Sequence, residues 1–164
     1  MYEIENLRDL FICGDAVQEM QKIPDRSIDL IITSPPYNLK NSTGNGLNPG
    51  YFLPTYEVIY LIAKSDFKLV EHANSFGDVW EFKQEMKNEH PAPFPVALIE
   101  RIISSTNAKI ILDPFMGSGT TAIAAKKLNR NFIGIEISPE YCEMSKKRLA
   151  CASQNIQREL LLPL

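Results

Sequence analysis

This 164-residue sequence predicts an α/β fold, a mostly parallel sheet with helices on both faces. Three observations carry the prediction. Short apolar runs alternate with segments of helical spacing in both halves of the chain. Runs such as Leu30-Ile31-Ile32 are apolar at consecutive positions, as in strands buried on both faces. A glycine-rich turn, "GSGTT", joins one of these runs directly to a helical segment.

The elements follow in order. Phe11-Ile12-Cys13 reads as a strand ending at Gly14-Asp15. Ala16 to Ile23 has helical spacing through Val17, Met20 and Ile23, and Pro24-Asp25 stops it. Ile28 to Ile32 is a second strand. "NSTGNGLNPG", Asn41 to Gly50, is a loop on composition. Tyr56 to Ala63, "YEVIYLIA", is rich in β-formers and is expected to pair with Phe67-Lys68-Leu69 across Lys64-Ser65-Asp66. Glu71 to Pro93 is polar and irregular around the only tryptophan, Trp80. Pro95 starts a helix over Val96 to Ser104. Lys109 to Leu112 is a strand, Thr120 to Leu128 a helix, Phe132 to Ile135 a strand, and Pro139 to Leu149 a helix.

The length fits one domain, 1–164. It divides into residues 1–40, an irregular region 41–94, and a half carrying the glycine turn, 95–164. Hydrophobic residues at 45%, charged residues at 23% and a mean hydropathy of -0.14 are those of a soluble globular protein. No apolar run approaches the roughly 20 residues that span a bilayer, and the start lacks a secretory pattern, so no membrane is expected. Cys13, Cys142 and Cys151 lack metal-ligand spacing and read as reduced thiols of a cytoplasmic protein; no metal is expected. A net charge of -3 argues against coating nucleic acid by charge alone. The basic clusters Lys126-Lys127 with Arg130, and Lys146-Lys147-Arg148, fall at predicted helix ends, where cations suit the macrodipole.

Gly117-Ser118-Gly119-Thr120-Thr121-Ala122 fits the G-x-G-x-x-G/A turn of nucleoside-binding folds. The next strand ends in Glu136, 17 positions after Gly119, where a carboxylate can accept bonds from both ribose hydroxyls. No Gly-Lys-Ser/Thr follows, which excludes a phosphate-binding P-loop. A dinucleotide and S-adenosylmethionine remain. Asp113, just before the turn, would repel a pyrophosphate and attract the ammonium group of the methyl donor, and so favours the latter.

A methyl donor needs a nucleophile. Thr33-Ser34-Pro35-Pro36-Tyr37 leaves the second strand at the edge where such folds bind ligands. An exocyclic amino group of a base is a weak nucleophile, because its lone pair is delocalised into the ring. Ser34 Oγ and the Pro35 carbonyl can accept from its N–H groups, with Pro35-Pro36 fixing the carbonyl's direction. Tyr37 offers a face on which an extruded base can stack.

These stretches resemble an S-adenosylmethionine-dependent amino-methyltransferase of DNA, of the β class in which the catalytic half precedes the cofactor half. "TSPPY" matches the catalytic motif, "DPFMGSGTT" the cofactor motif and "IEISPEYCEMSKKRL" the strand and helix after it. The resemblance implies a Rossmann-like methyltransferase fold and a restriction-modification enzyme acting on double-stranded DNA. It places Asp15 of "ICGDAV" near the adenine of the cofactor, with Asp113, Phe115, Gly117, Gly119, Thr120 and Glu136 lining the site. A serine before the prolines is typical of N4-cytosine enzymes, and aspartate or asparagine of N6-adenine enzymes, so Ser34 favours cytosine N4.

The chain departs from that pattern after Lys40. A parallel crossover needs about a dozen residues or more, and Asn41 to Tyr51 cannot hold one with its helix. At least one βα unit of the central sheet is expected to be missing, together with most of the target-recognition region. Lys64, Lys68, Trp80 and Lys83 are the remaining candidates for DNA contact, against a plain packing role for Trp80. A homodimer, a complementing subunit or a non-catalytic remnant would each answer to such a gap.

Overall fold

The computed structural model describes residues 2–34, 57–82 and 95–160. It divides into two compact units, Met1–Thr33 with Leu69–Leu164, and Ser34–Lys68. In the larger unit four strands form one sheet: β1 (Leu10–Cys13), β2 (Leu30–Ile31), β3 (Ile110–Asp113) and β4 (Asn131–Glu136), in the order β1-β4-β3-β2. All three pairings are parallel, with Leu10 opposite Ile133, Ile111 opposite Phe132 and Leu30 opposite Ile111. Asp29 sets where β3 begins, because its Oδ2 accepts from the amides of both Lys109 and Ile110, each at 2.9 Å.

Alternation along the strands divides the core between two faces. Ile32, Ile111 and Phe132 pack with Ile99 and Ile103 of α2 (Val96–Ser104), and with Ala122, Ala124 and Ala125 of α3 (Thr120–Lys127). Leu149 of α4 (Pro139–Leu160) joins them, and Phe11 meets Phe132 edge-on at 5.0 Å. On the other face Leu112, Ile133 and Ile135 pack with Leu7 and with Ala16 of α1 (Ala16–Met20). Each fully buried isoleucine or phenylalanine contributes about 1.5–3 kcal/mol relative to exposure. Helices on both faces of a parallel sheet are the predicted architecture.

Boundaries differ from the expected ones where tertiary contacts decide them. The last helix runs to Leu160, beyond Leu149. The second strand shrinks to two residues, although Asp29 N and Ile32 N still bond to Ile110 O and Leu112 O. α3 is buried from Thr120 to Ala125, through small residues except for Ile123, because it lies against both the sheet and α2. It ends in a turn with Asn129 at φ +53, where the amide of Arg130 reaches back to Ala125 O at 2.8 Å.

In the smaller unit the expected hairpin does not form among the described residues. The turn is present, with Phe67 N bonded to Lys64 O at 3.1 Å, but Glu57 to Ala63 has no ladder. Val58, Ile59, Tyr60, Leu61 and Ile62 are all exposed. β-propensity describes how a residue suits a pleated, half-buried surface, and without a packed face it does not make a strand. Expectations for Asn41 to Gly50, and for Lys83 as a DNA contact, lie outside the described residues.

Candidate cofactor site

Parallel strands bring their carboxyl ends to one edge, and three adjacent strands each deliver a carboxylate there. β3 ends in Asp113, β4 in Glu136, and β1 runs through Cys13-Gly14 to Asp15. Gly14 N donates to Glu136 O at 2.9 Å, which ties the β1 end to the β4 end. Asp15 also caps α1, accepting from Gln18 N at 3.0 Å.

Glu136 fixes the shape of the glycine turn. Its Oε2 accepts from Gly117 N at 2.8 Å and its Oε1 from Ser138 N at 2.9 Å. One carboxylate therefore joins the turn before α3 to the start of α4, and each oxygen keeps a lone pair for a further donor. Gly117 and Gly119 stand at φ +53 and +82, the left-handed region that glycine enters without cost. A Cβ on Gly119 would lie 2.8 Å from the Cβ of Ser145 in α4, so this glycine also permits a close approach of two helices. Gly134 has the same role inside β4, where a side chain would run into the buried Met116.

Asp113 is turned inward. Its Oδ2 accepts from Thr121 Oγ1 at 2.6 Å and its Oδ1 from Phe115 N at 3.1 Å. Burial pushes its carboxyl up to about 6; the hydrogen bonds from Thr121 and Phe115 oppose that shift, and the nearby Glu136 adds to it. The folded protein therefore binds this proton more tightly than the unfolded chain does. Stability from Asp113 is fully present below pH 3.8 and lost as pH rises to about 6. That interval corresponds to about 3 kcal/mol. Urea titrations are expected to show wild-type stability falling by up to that amount between pH 4 and 6.5 relative to Asp113→Asn. Parallel pH curves for the two proteins would contradict this account.

The other expected positions divide. Phe115 is 54% exposed at the edge, and Thr120 is buried in the first turn of α3. Ser34 belongs to the smaller unit, and Pro35, Pro36 and Tyr37 lie outside the described residues. The basic clusters are largely paired: Lys126 with Asp9 at 2.7 Å, Lys127 with Glu100 at 2.8 Å and Lys146 with Glu143 at 2.9 Å. Trp80 is half-buried; its indole donates to Gly77 O at 3.0 Å, and Arg101 stacks against it and against Phe76 and Phe82. Sequence reasoning missed Thr121, Ser138 and Arg148. Arg148 donates from one nitrogen to both the carbonyl and the hydroxyl of Ser118 at 2.6 Å, holding the turn from α4. Only the second threonine of "GTT" signalled any of these contacts, through its place one helical step beyond the turn.

A family model described as DNA methylase, covering N6 and N4 methyltransferases, matches residues 44–147. The Type II methyltransferase M.HpaI of Haemophilus parainfluenzae is 28% identical over 229 positions, covering 84% of this chain and 73% of its own. The Type II methyltransferase M2.DpnII of Streptococcus pneumoniae is 36% identical over 140 positions, covering 71% of this chain and 52% of its own. The chain thus spans about half the length of the latter. About 138 residues of this chain (84%) fall within an alignment of 229 positions, so M.HpaI carries about 90 residues there without a counterpart, in line with a missing unit. Among solved structures, TTHA0409 of Thermus thermophilus, complexed with S-adenosyl-L-methionine, matches with a TM-score of 0.60 at 20% identity. The match covers 88% of this chain and 94% of that one, and it shows a shared fold, the Rossmann-like methyltransferase fold. With more than half of its residues inside the family match, the chain belongs to the DNA methylase family of N6 and N4 amino-methyltransferases.

Proposed function

We propose that this protein transfers a methyl group from S-adenosylmethionine to the exocyclic amino group of a base in double-stranded DNA, with cytosine N4 as the target. The observation that carries the reading is the arrangement of Asp15, Asp113 and Glu136 around a glycine turn on one sheet edge. Asp113 is turned inward to Thr121 and does not meet the ammonium group as expected, but the carboxylates of Asp15 and Glu136 at that edge disfavour a pyrophosphate and suit a ligand with a cationic end. When bound, S-adenosylmethionine supplies an electrophilic methyl on a sulfonium.

The chain's own residues then have separate tasks. Glu136, held by two backbone amides, has lone pairs left for the ribose hydroxyls. Asp15 lies beside the adenine, and Phe115, Gly117, Gly119 and Thr120 line the pocket, with Asp113 keeping the turn in place. Ser34 Oγ and the Pro35 carbonyl accept from the amino group, Pro36 stiffens the turn, and Tyr37 stacks on the base. These acceptors draw the nitrogen lone pair out of conjugation.

Turnover is tested by incubating the protein with tritiated cofactor and mixed-sequence duplex DNA, then identifying the labelled nucleoside by mass. N4-methylcytosine is the expected product, and Ser34→Ala is expected to slow transfer with cofactor affinity nearly unchanged. N6-methyladenine would move the target to adenine, which the family also covers; 5-methylcytosine would sink the mechanism. A second reading, a cofactor-binding subunit or non-catalytic remnant that needs a complementing chain, draws on the residues present in M.HpaI and absent here. Cofactor binding without label in DNA would favour it.

A further inference from the structure

Two of the three cysteines meet at the carboxyl edge, on either side of Glu136. Cys13, the last residue of β1, is the ladder partner of Glu136. Cys142, in the first turn of α4, donates its S–H to the Glu136 carbonyl at 3.4 Å. The amide of Gly14, the residue after Cys13, donates to the same Glu136 carbonyl at 2.9 Å, so both cysteines border one oxygen. The packing around them agrees. Phe11, two residues before Cys13, shares a core cluster with Leu149, about two helical turns after Cys142. Cys13 is exposed, whereas Cys142 is only 2% exposed. Cys151, also exposed, lies on the same helix farther from the edge.

We propose that Cys13 and Cys142 form a site of reversible oxidation, closing into an intramolecular disulfide that ties the end of β1 to the first turn of α4. The oxidant is a peroxide. The exposed Cys13 reacts first: its sulfur takes an oxygen from hydrogen peroxide as the O–O bond breaks, leaving a sulfenic acid and water. The Cys142 sulfur then attacks the Cys13 sulfur. An S–S bond forms, the S–O bond breaks, and the hydroxyl leaves as water with the Cys142 proton. Two thiols lose two electrons, one peroxide is reduced, and two waters result.

The difference in burial sets the order of these steps. Burial, then the Cys13 thiol, push Cys142 up to about 12, so it is protonated at neutral pH and does not initiate. Its adjacency to Cys13 compensates through a high effective concentration in the second step. The bond would replace the S–H donor on the Glu136 carbonyl and fix α4 beside the glycine turn. Any effect on cofactor affinity rests on the function proposed above, whereas bond formation does not, so the two can fail separately.

The test is peroxide treatment of the folded protein, alkylation of remaining thiols, and peptide mapping by mass. The expected result is a Cys13–Cys142 cross-link in at least roughly ten-fold excess over any other pairing. Cys151 is alkylated, and dithiothreitol reverses the bond. Cys151→Ser is expected to keep the cross-link and Cys13→Ser to lose it, with both variants folded by circular dichroism. In concentrated urea the selectivity is expected to vanish. Three free thiols after oxidation, a lasting sulfinic acid on Cys13 beside a reduced Cys142, or a cross-link to Cys151 would each overturn the proposal.

Discussion

Gly119→Ala is expected to destabilise the protein by about 2–5 kcal/mol, a large share of the roughly 5–15 kcal/mol that holds a typical domain folded. Two costs combine. A residue with a Cβ at φ +82 gives up roughly 1–2 kcal/mol. The new Cβ also meets the Ser145 Cβ at 2.8 Å and its Cα at 3.2 Å, and Ser145 is fully buried. Overpacking of that kind costs about 1–3 kcal/mol, because α4 cannot retreat without opening the core behind it. One further variant separates the costs. Ser145→Gly in the Gly119→Ala background is expected to recover part of the loss. Urea unfolding decides it: a Gly119→Ala protein within about 0.5 kcal/mol of wild type would refute the close approach of α3 and α4.

Glu136→Ala is expected to weaken S-adenosylmethionine binding by about 1.5–3 kcal/mol, roughly ten- to 150-fold, if the carboxylate accepts the ribose hydroxyls. It also removes the acceptors of Gly117 N and Ser138 N, so some loss of stability accompanies it. Glu136→Gln is informative because an amide keeps one oxygen and replaces the other with a donor, which must then face a backbone N–H. Glutamine is therefore expected to lose affinity as well, though it fills the same volume. Calorimetry on folded protein is the measurement, and an unchanged affinity in Glu136→Ala would remove Glu136 from the site.

The alternation of elements was legible because buried parallel strands and amphipathic helices have different periods, and Leu10–Cys13, Ile110–Asp113 and Asn131–Glu136 fall within a residue or two of their expected places. That no hairpin forms over the described residues Glu57 to Leu69 was not legible. These residues are β-formers, but strand formation depends on a partner edge that composition does not reveal. Glu136 was singled out from spacing, whereas its bond to Gly117 was not legible, since Gly117 is 19 positions away and meets it only when β3 and β4 pair.

By itself the sequence determined the fold class, the glycine turn and the acidic residue that ends the following strand, and through its motifs it pointed to the family. These are local properties: periodicity, backbone freedom and short spacing persist whatever the chain packs against. Tertiary structure alone decided that Asp113 turns inward to Thr121, that Arg148 holds Ser118 from α4, and that Cys13 and Cys142 meet across Glu136. Those contacts join residues far apart in sequence, or depend on burial that raises a carboxyl to about 6 and a thiol to about 12. Desolvation and long-range pairing come into being only when the sheet closes, so no stretch of chain carries them alone.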